Sequence, residues 1–296
     1  MLTGSGGQVG WELNRALISY GIVGAYGSGG LDMLDGSSIR EKVRGFRPDV
    51  IVNAAAYTAV DKAESERAVC RGLNATAPGI LAEEAEKLGA WIIHYSTDYV
   101  YSGKNDRPWR EDDEPNPGNF YGESKLEGDM AVSGRASRHL IFRTSWVYSS
   151  RRSNFLLTML RLFAPRENGE KRVVRVVDDQ IGAPTLARVI AQATVMALGR
   201  AVIPDDEGVS GVYHVACGGS TSWCGFAREI LGYAGARMAL GNVELVPISS
   251  DEYAACAARP AWSVLSTERA SAAFGFHADQ WQEAARLCMD EIAERR

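Results

Sequence analysis

Cysteine and histidine are scarce in this 296-residue chain, and neither is arranged for metal or disulfide chemistry. The five cysteines, Cys70, Cys217, Cys224, Cys256 and Cys288, are odd in number and include no CxxC pair. That speaks against a disulfide scaffold or a zinc site and fits a reducing compartment. His94, His139, His214 and His277 are scattered and form no HExxH, so no metal centre is expected. No apolar run approaches the ~20 residues of a membrane span. No basic region followed by an apolar stretch stands at the N-terminus, so no signal peptide is expected and a cytoplasmic location is. Basic residues are outnumbered 32 to 37, giving a net charge of −5. Nucleic acid and anionic membranes, which need a basic face, are therefore not expected partners. An anionic small molecule held by one or two local arginines is compatible with that charge.

Hydrophobic residues make up 46% of the chain and glycine numbers 31, proportions of a globular protein with one large domain or two modest ones. In the first half, short β-branched runs alternate with helical patterns. Ile22–Tyr26, Val50–Ala54, Trp91–Tyr95 and Leu140–Arg143 read as strands. Val9–Tyr20, Ile39–Phe46, Ala75–Leu88 and Tyr121–Val132 read as helices. This alternation implies an α/β fold with a doubly wound parallel sheet. Further on, Arg172–Val177 and Gly211–Val215 read as strands, Thr185–Leu198 and Thr221–Tyr233 as helices, and Phe163–Lys171 as a surface connection.

Gly4, Gly7 and Gly10 form a GxxGxxG turn that opens into the first helix. Glycine permits the tight turn and lets backbone N–H groups approach a pyrophosphate at the positive helix end. Only Met1–Thr3 precede it, where a core strand takes about five residues, so either the first strand is clipped or the sequence starts inside it. No acidic residue or arginine stands at Tyr26-Gly27-Ser28, where a ribose 2′-hydroxyl or 2′-phosphate is usually recognised. Asp32 follows nearby, and the choice between NADH and NADPH stays open.

Tyr121 and Lys125 stand at i and i+4, on one helical face. An ordinary tyrosine titrates near pH ~10, and a neighbouring cation lowers that value, making the phenol a better proton donor to a carbonyl oxygen. Thr97 follows the run Trp91–Tyr95, at the strand end where open α/β sheets bind ligands. Its hydroxyl can bond the same oxygen.

These motifs resemble the extended short-chain dehydrogenase/reductase superfamily, and within it the dTDP-4-dehydrorhamnose reductases. The likeness runs through GxxGQVGWEL at Gly4–Leu13, VNAAAYTAVDKAE at Val52–Glu64 and HYSTDYVY at His94–Tyr101. It continues through YGESKLEGD at Tyr121–Asp129, FRTSWVY at Phe142–Tyr148 and DDQIGAPT at Asp178–Thr185. The resemblance implies a Rossmann-like fold with a smaller C-terminal substrate lobe. It also implies reduction of the 4-keto group of dTDP-4-dehydro-β-L-rhamnose by NADPH or NADH.

In that reading Tyr121 is the acid, Lys125 its electrostatic and ribose-binding partner, and Thr97 bonds the keto group. Gln8, Val9, Asp32, Met33, Ala55, Ala56, Tyr57 and Thr58 line the dinucleotide with the glycine turn. Asp98, Tyr99 and Trp146 contact the nucleotide-sugar, and Arg259 pairs with its diphosphate. The family's Arg-Arg-Pro stretch has Ala258 in place of its first arginine here. Some members dimerise around a divalent ion such as Mg; no cluster in this sequence calls for one, and a monomer or a homodimer is compatible.

Residues 1–150, with 183–216 returning, would form the cofactor domain, and 151–182 with 217–296 the nucleotide-sugar lobe. Another 4-ketoreductase or an epimerase is the nearest alternative. A dehydratase carries Asp-Glu after its catalytic Thr, whereas Tyr99 follows Asp98 here. A non-catalytic regulatory subunit of the methionine adenosyltransferase type shares the likeness, but retention of Thr97, Tyr121 and Lys125 together favours an enzyme.

Overall fold

Six strands build one all-parallel sheet in the computed structural model, which describes residues 1–167, 169–201 and 207–295. Across the sheet they run Gly211–His214, His139–Thr144, Trp91–Thr97, Val50–Asn53, Leu2–Thr3 and Ala25–Tyr26. Every pairing is parallel. The first strand sits beside the third, so connections leave the Leu2–Thr3/Val50–Asn53 pair in opposite directions. This is the switch point at which doubly wound sheets hold ligands.

The strands obey a period of two. Met1, Ile51, Ile92 and Ile141 point to one face, where Ile39, Val43, Leu81, Ala85 and Val132 cover them from three helices. Leu2, Val52, Ile93 and Leu140 point to the other, under Leu13, Ile190, Ala197 and Phe274. Both faces are dry, which is why Trp91–Thr97 is buried along its whole length. A second core unites the helices Phe155–Phe163, Trp223–Gly235 and Trp281–Ala293 with the parallel pair Arg172–Val177 and Val243–Ile248.

Several expected boundaries shift. The strand read at Ile22–Tyr26 shrinks to Ala25–Tyr26, and Ile22 is 92% exposed. The first helix is α-helical over Gln8–Ala16 and tightens to a 3₁₀ turn at Leu17–Tyr20. The helix read from Ala75 begins at Ala77, after a π-helical turn at Gly72–Thr76. Thr185 and Thr221 each open a two-residue strand, and the helices that follow are Ala187–Ala201 and Trp223–Gly235. Phe163 ends a helix and belongs to no connection; between it and Arg172, residue 168 lies outside the described residues.

The segment 183–216 contributes its last strand to the edge of the main sheet, its residues 202–206 lying outside the described residues. The segment 217–296 does not all belong to the second core. Ala270, Phe274 and Phe276 pack on the main sheet, because helix Glu268–Phe274 lies against Tyr213 and Phe142. Among the described residues, no helix is long and apolar enough to cross a membrane.

Candidate active site

A cleft of about 830 Å³ opens at the switch point, within the range of cofactor and ligand sites. Its floor is the glycine turn. Gly4 has φ +66°, and a Cβ there would stand 2.5 Å from the carbonyl carbon of Ala54. A Cβ on Gly10 would meet the Gly4 carbonyl oxygen at 2.1 Å. Gly10 thus seats the helix on the turn and does not itself line the cleft. Gly7 caps Gln8–Ala16 without a side-chain hydrogen bond, leaving the positive helix end for an anionic ligand.

Gln8 ties a second loop to this turn: its Oε1 accepts from Ser149 Oγ and Asn154 Nδ2, both at 2.9 Å. Arg152, at φ +62°, donates from Nε to the Gly6 carbonyl at 2.7 Å and lines the cleft. Val9, Asp32, Met33, Ala55, Ala56 and Thr58 line it as well. Asp32 Oδ1 also accepts the Leu34 N–H at 2.8 Å, so it shapes its own turn. Tyr57 departs from expectation. It does not line the cleft, and its phenol donates to Glu66 Oε2 at 2.6 Å, which pushes its pKa up to about 12.

Thr97 ends the strand Trp91–Thr97, and Tyr121 and Lys125 project from helix Phe120–Ser133; the cleft brings all three together. Asn119 caps that helix by accepting the Gly122 N–H at 2.8 Å. Thr97 Oγ1 donates to Asp98 Oδ1 at 2.9 Å and accepts the Tyr99 N–H at 3.2 Å. Desolvation pushes the Tyr121 phenol above its ordinary value, with the neighbouring Thr97 hydroxyl opposing. Lys125 is 1% exposed, and its Nζ donates to the Tyr95 carbonyl at 2.5 Å. Burial brings its pKa down to about 8, with Asp129 and Cys70 opposing. The expected lowering of the phenol by its lysine is therefore not what this arrangement does. The ammonium is engaged with Tyr95, and desolvation dominates at Tyr121.

Asp98 is 2% exposed and lines the cleft, holding Thr97 on Oδ1 and Ser145 on Oδ2 at 3.0 Å. Burial raises its carboxyl to about 6. Tyr99 lies edge-on to Tyr121, ring centroids 5.6 Å apart. Trp146 takes the left-handed φ of +47° and stacks on Trp223 at 3.5 Å, their planes within 4°. Arg259 stands just outside the cleft lining, beside Tyr99; its Nη2 pairs with Asp61 Oδ2 at 2.7 Å, and its buried Nη1 has no hydrogen-bond partner among the described residues. Trp223 and Arg152 were missed from sequence, since neither belongs to a recognisable spacing and each reaches the cleft only by tertiary packing. Among the described residues no group of three or more His, Cys, Asp or Glu is placed to hold a metal. Glu12 and Glu291 both pair with Arg188.

The chain matches the family described as RmlD substrate binding domain over residues 1–294. It is 42% identical to dTDP-4-dehydrorhamnose reductase of Escherichia coli K12, covering 99% of this chain and 97% of the relative. It is 36% identical to the spore coat polysaccharide biosynthesis protein SpsK of Bacillus subtilis, covering 98% and 96%. A crystal structure of dTDP-4-dehydrorhamnose reductase from Bacillus anthracis in complex with NADP superposes with a TM-score of 0.88 at 32% identity, covering 98% of each chain. Thermus thermophilus UDP-glucose 4-epimerase, at 18% identity and TM-score 0.77, shares the fold.

Proposed function

Because this chain belongs to the RmlD substrate-binding-domain family together with the dTDP-4-dehydrorhamnose reductases, we propose that it catalyses the same reduction. The reaction converts the 4-keto group of dTDP-4-dehydro-β-L-rhamnose to a hydroxyl, giving dTDP-β-L-rhamnose, with NADPH or NADH as reductant. The observation that carries this reading is the convergence of Thr97, Tyr121 and Lys125 on one cleft floored by the glycine turn.

The residues present fit a dinucleotide. The turn is crowded so closely against Ala54 and Gly4 that side chains are excluded at Gly4 and Gly10, while the uncapped helix end faces the cleft. Gly4, Gly7, Gln8 and Val9 would hold the pyrophosphate, Asp32 and Met33 the adenosine end, and Ala55, Ala56 and Thr58 the middle. When bound, the nicotinamide supplies hydride. Tyr121 gives its phenolic proton to the keto oxygen, and its elevated pKa keeps that proton in place at neutral pH. Thr97 bonds the same oxygen by turning its hydroxyl proton from Asp98 to the sugar. Lys125 bonds the ribose and places a positive charge behind the phenol as it loses its proton. Trp146, with Trp223 stacked behind it, forms the wall for the sugar.

Residues 1–150 with 183–216 would serve the cofactor, and 151–182 with much of 217–296 the nucleotide-sugar. The separate second core supports that division. We read the protein as a cytoplasmic enzyme, monomeric or homodimeric, with no nucleic acid or membrane partner, in keeping with its net charge of −5.

The test is to offer dTDP-4-dehydrorhamnose, a UDP-linked analogue, or no sugar, and follow NADPH and NADH consumption. Rapid oxidation with the dTDP sugar alone is expected. Equal rates with both nucleotides would remove the dTDP assignment, and no sugar-dependent oxidation would remove the reductase reading.

A further inference from the structure

Thr3, Asn53 and His94 are register partners on three adjacent strands, so their side chains stand in a row on one face of the sheet. None is more than 1% exposed. Thr3 Oγ1 lies 2.6 Å from Asn53 Oδ1, and Asn53 Nδ2 lies 3.1 Å from His94 Nδ1. His94 Nε2 lies 3.3 Å from Lys125 Nζ, which the covering helix lowers onto the end of the row. A polar chain buried inside an otherwise apolar face costs stability unless each group is satisfied. Neither hydride delivery nor proton donation by Tyr121 employs it.

We propose that Thr3, Asn53 and His94 form a positioning chain for Lys125, one that keeps its amino group hydrogen-bonded over the Tyr95 carbonyl in both its charged and its neutral state. The proposal rests on the reading of Lys125 as part of the reductase site.

The chemistry of the three side chains permits two polarities. With Lys125 charged, the ammonium donates to His94 Nε2, Nδ1–H donates to the Asn53 amide oxygen, and the amide nitrogen donates to Thr3 Oγ1. With Lys125 neutral, Thr3 donates to the amide oxygen, the amide nitrogen donates to Nδ1, and Nε2–H donates to the amine. A half-turn of the Asn53 amide and a change of imidazole tautomer interconvert the two. Histidine is suited to this place because its neutral ring carries one donor and one acceptor that exchange roles. Burial beside Lys125 holds the ring well below its ordinary pKa, so it stays neutral throughout. In both polarities the amino group donates to Tyr95, and in the charged state a third N–H remains for the cleft.

The other ionisable groups about Lys125 are Tyr121 and Asp129 on its own helix, Cys70 from helix Arg67–Arg71, and Arg143 from strand His139–Thr144. Asp129 is tied to Arg143 at 3.1 Å, which leaves His94 as the side chain bonded directly to the amine.

The decisive measurement is long-range ¹H–¹⁵N NMR of the histidine rings in the unmodified protein between about pH 6 and about pH 10. The expected result is a His94 ring that is Nδ1-protonated at the acid end and Nε2-protonated at the alkaline end, with no imidazolium. A single tautomer throughout, or an imidazolium at the acid end, overturns the proposal. Kinetics supply the second arm. His94→Leu should lower kcat by roughly tenfold or more, leave KM for the sugar near its starting value and move the alkaline limb of the kcat profile to lower pH. His94→Gln, which keeps a donor and an acceptor, should recover much of both. An unmoved limb in His94→Leu, or equal losses in the two variants, would count against a positioning role. Should His94→Leu fail to fold, the NMR arm decides alone. Failure of the reductase reading would show separately, as full turnover in Lys125→Met alongside an intact tautomer change in the unmodified protein.

Discussion

Thr97 donates its hydroxyl proton to the carboxylate of the very next residue, Asp98, at 2.9 Å, while Ser145 occupies the other carboxylate oxygen at 3.0 Å. The bond between neighbours is possible because the strand ends at Thr97 and the chain turns at once into a 3₁₀ helix at Asp98–Val100. It holds the Thr97 hydroxyl proton at the edge of the cleft while Oγ1 accepts the Tyr99 N–H.

That relationship carries a pH dependence. Burial raises the Asp98 carboxyl to about 6, above its unfolded value of about 4. The neutral form is favoured in the fold, so the contribution to stability is fully present below the unfolded pKa and is lost as pH rises through the folded one. Activity runs the same way, because ionised Asp98 competes with the keto oxygen for the single Thr97 hydroxyl proton. A fall in kcat/KM as pH rises through about 6 is expected. Asp98→Asn should lack that limb; a limb unchanged in the variant would refute the assignment.

Tyr121→Phe removes the hydroxyl proposed as the proton donor while sparing the cofactor turn. Turnover should fall about 10²–10⁴-fold, the usual worth of general acid catalysis. NADPH affinity, read by fluorescence titration, should stay within about twofold, since the change removes one hydroxyl at the sugar end. Near-normal turnover would exclude Tyr121 as the acid.

Lys125 makes a prediction about stability. Its pKa in the fold is about 8, below the unfolded value of about 10.4. A depressed pKa means the contribution is complete above the unfolded value and lost as pH falls through the folded one. Stability from this group therefore rises between about pH 8 and pH 10, by an amount on the order of 2 kcal/mol. Chemical denaturation of Lys125→Met across that window should show the rise missing, together with a large loss of turnover.

At Gly4 the left-handed φ and the 2.5 Å approach of Ala54 act together. Gly4→Ala should destabilise the fold by about 1–3 kcal/mol, with NADPH binding weakened further by the displaced turn. Thermal unfolding with and without NADPH separates the two effects.

Trp223 stands behind Trp146 in a parallel stack. Trp223→Ala should let the Trp146 ring move and raise KM for the nucleotide-sugar severalfold, with KM for NADPH little changed. A rise confined to NADPH would place the pair at the wrong end of the cleft. Stacked aromatic pairs are worth about 0.5–1.5 kcal/mol beyond their buried area, which sets the scale of the effect.

Much of the cofactor half was legible in sequence because its signals are local. The glycine turn and the Tyr121–Lys125 pair each lie within a dozen residues, and each strand or helix is read from its own short run, the range over which backbone sterics and helical periodicity act. Short elements were less legible. Ala25–Tyr26 and Thr185–Leu186 owe their extended form to partners far along the chain, not to their own propensity. Arg259 shows the same limit at a side chain, since nothing near it in sequence announces that Asp61 will take its guanidinium.

The amino-acid sequence by itself therefore determined the fold class and pointed to the glycine turn and to the three side chains proposed as reactive, through short-range patterns of sterics and periodicity. Only the tertiary structure decided what surrounds them. Strand register, set by residues 50 and 41 positions apart, aligned Thr3, Asn53 and His94 beneath Lys125, and packing between the two cores laid Trp223 on Trp146. Those relationships depend on the burial of whole faces, and burial is a property that no single stretch of chain possesses.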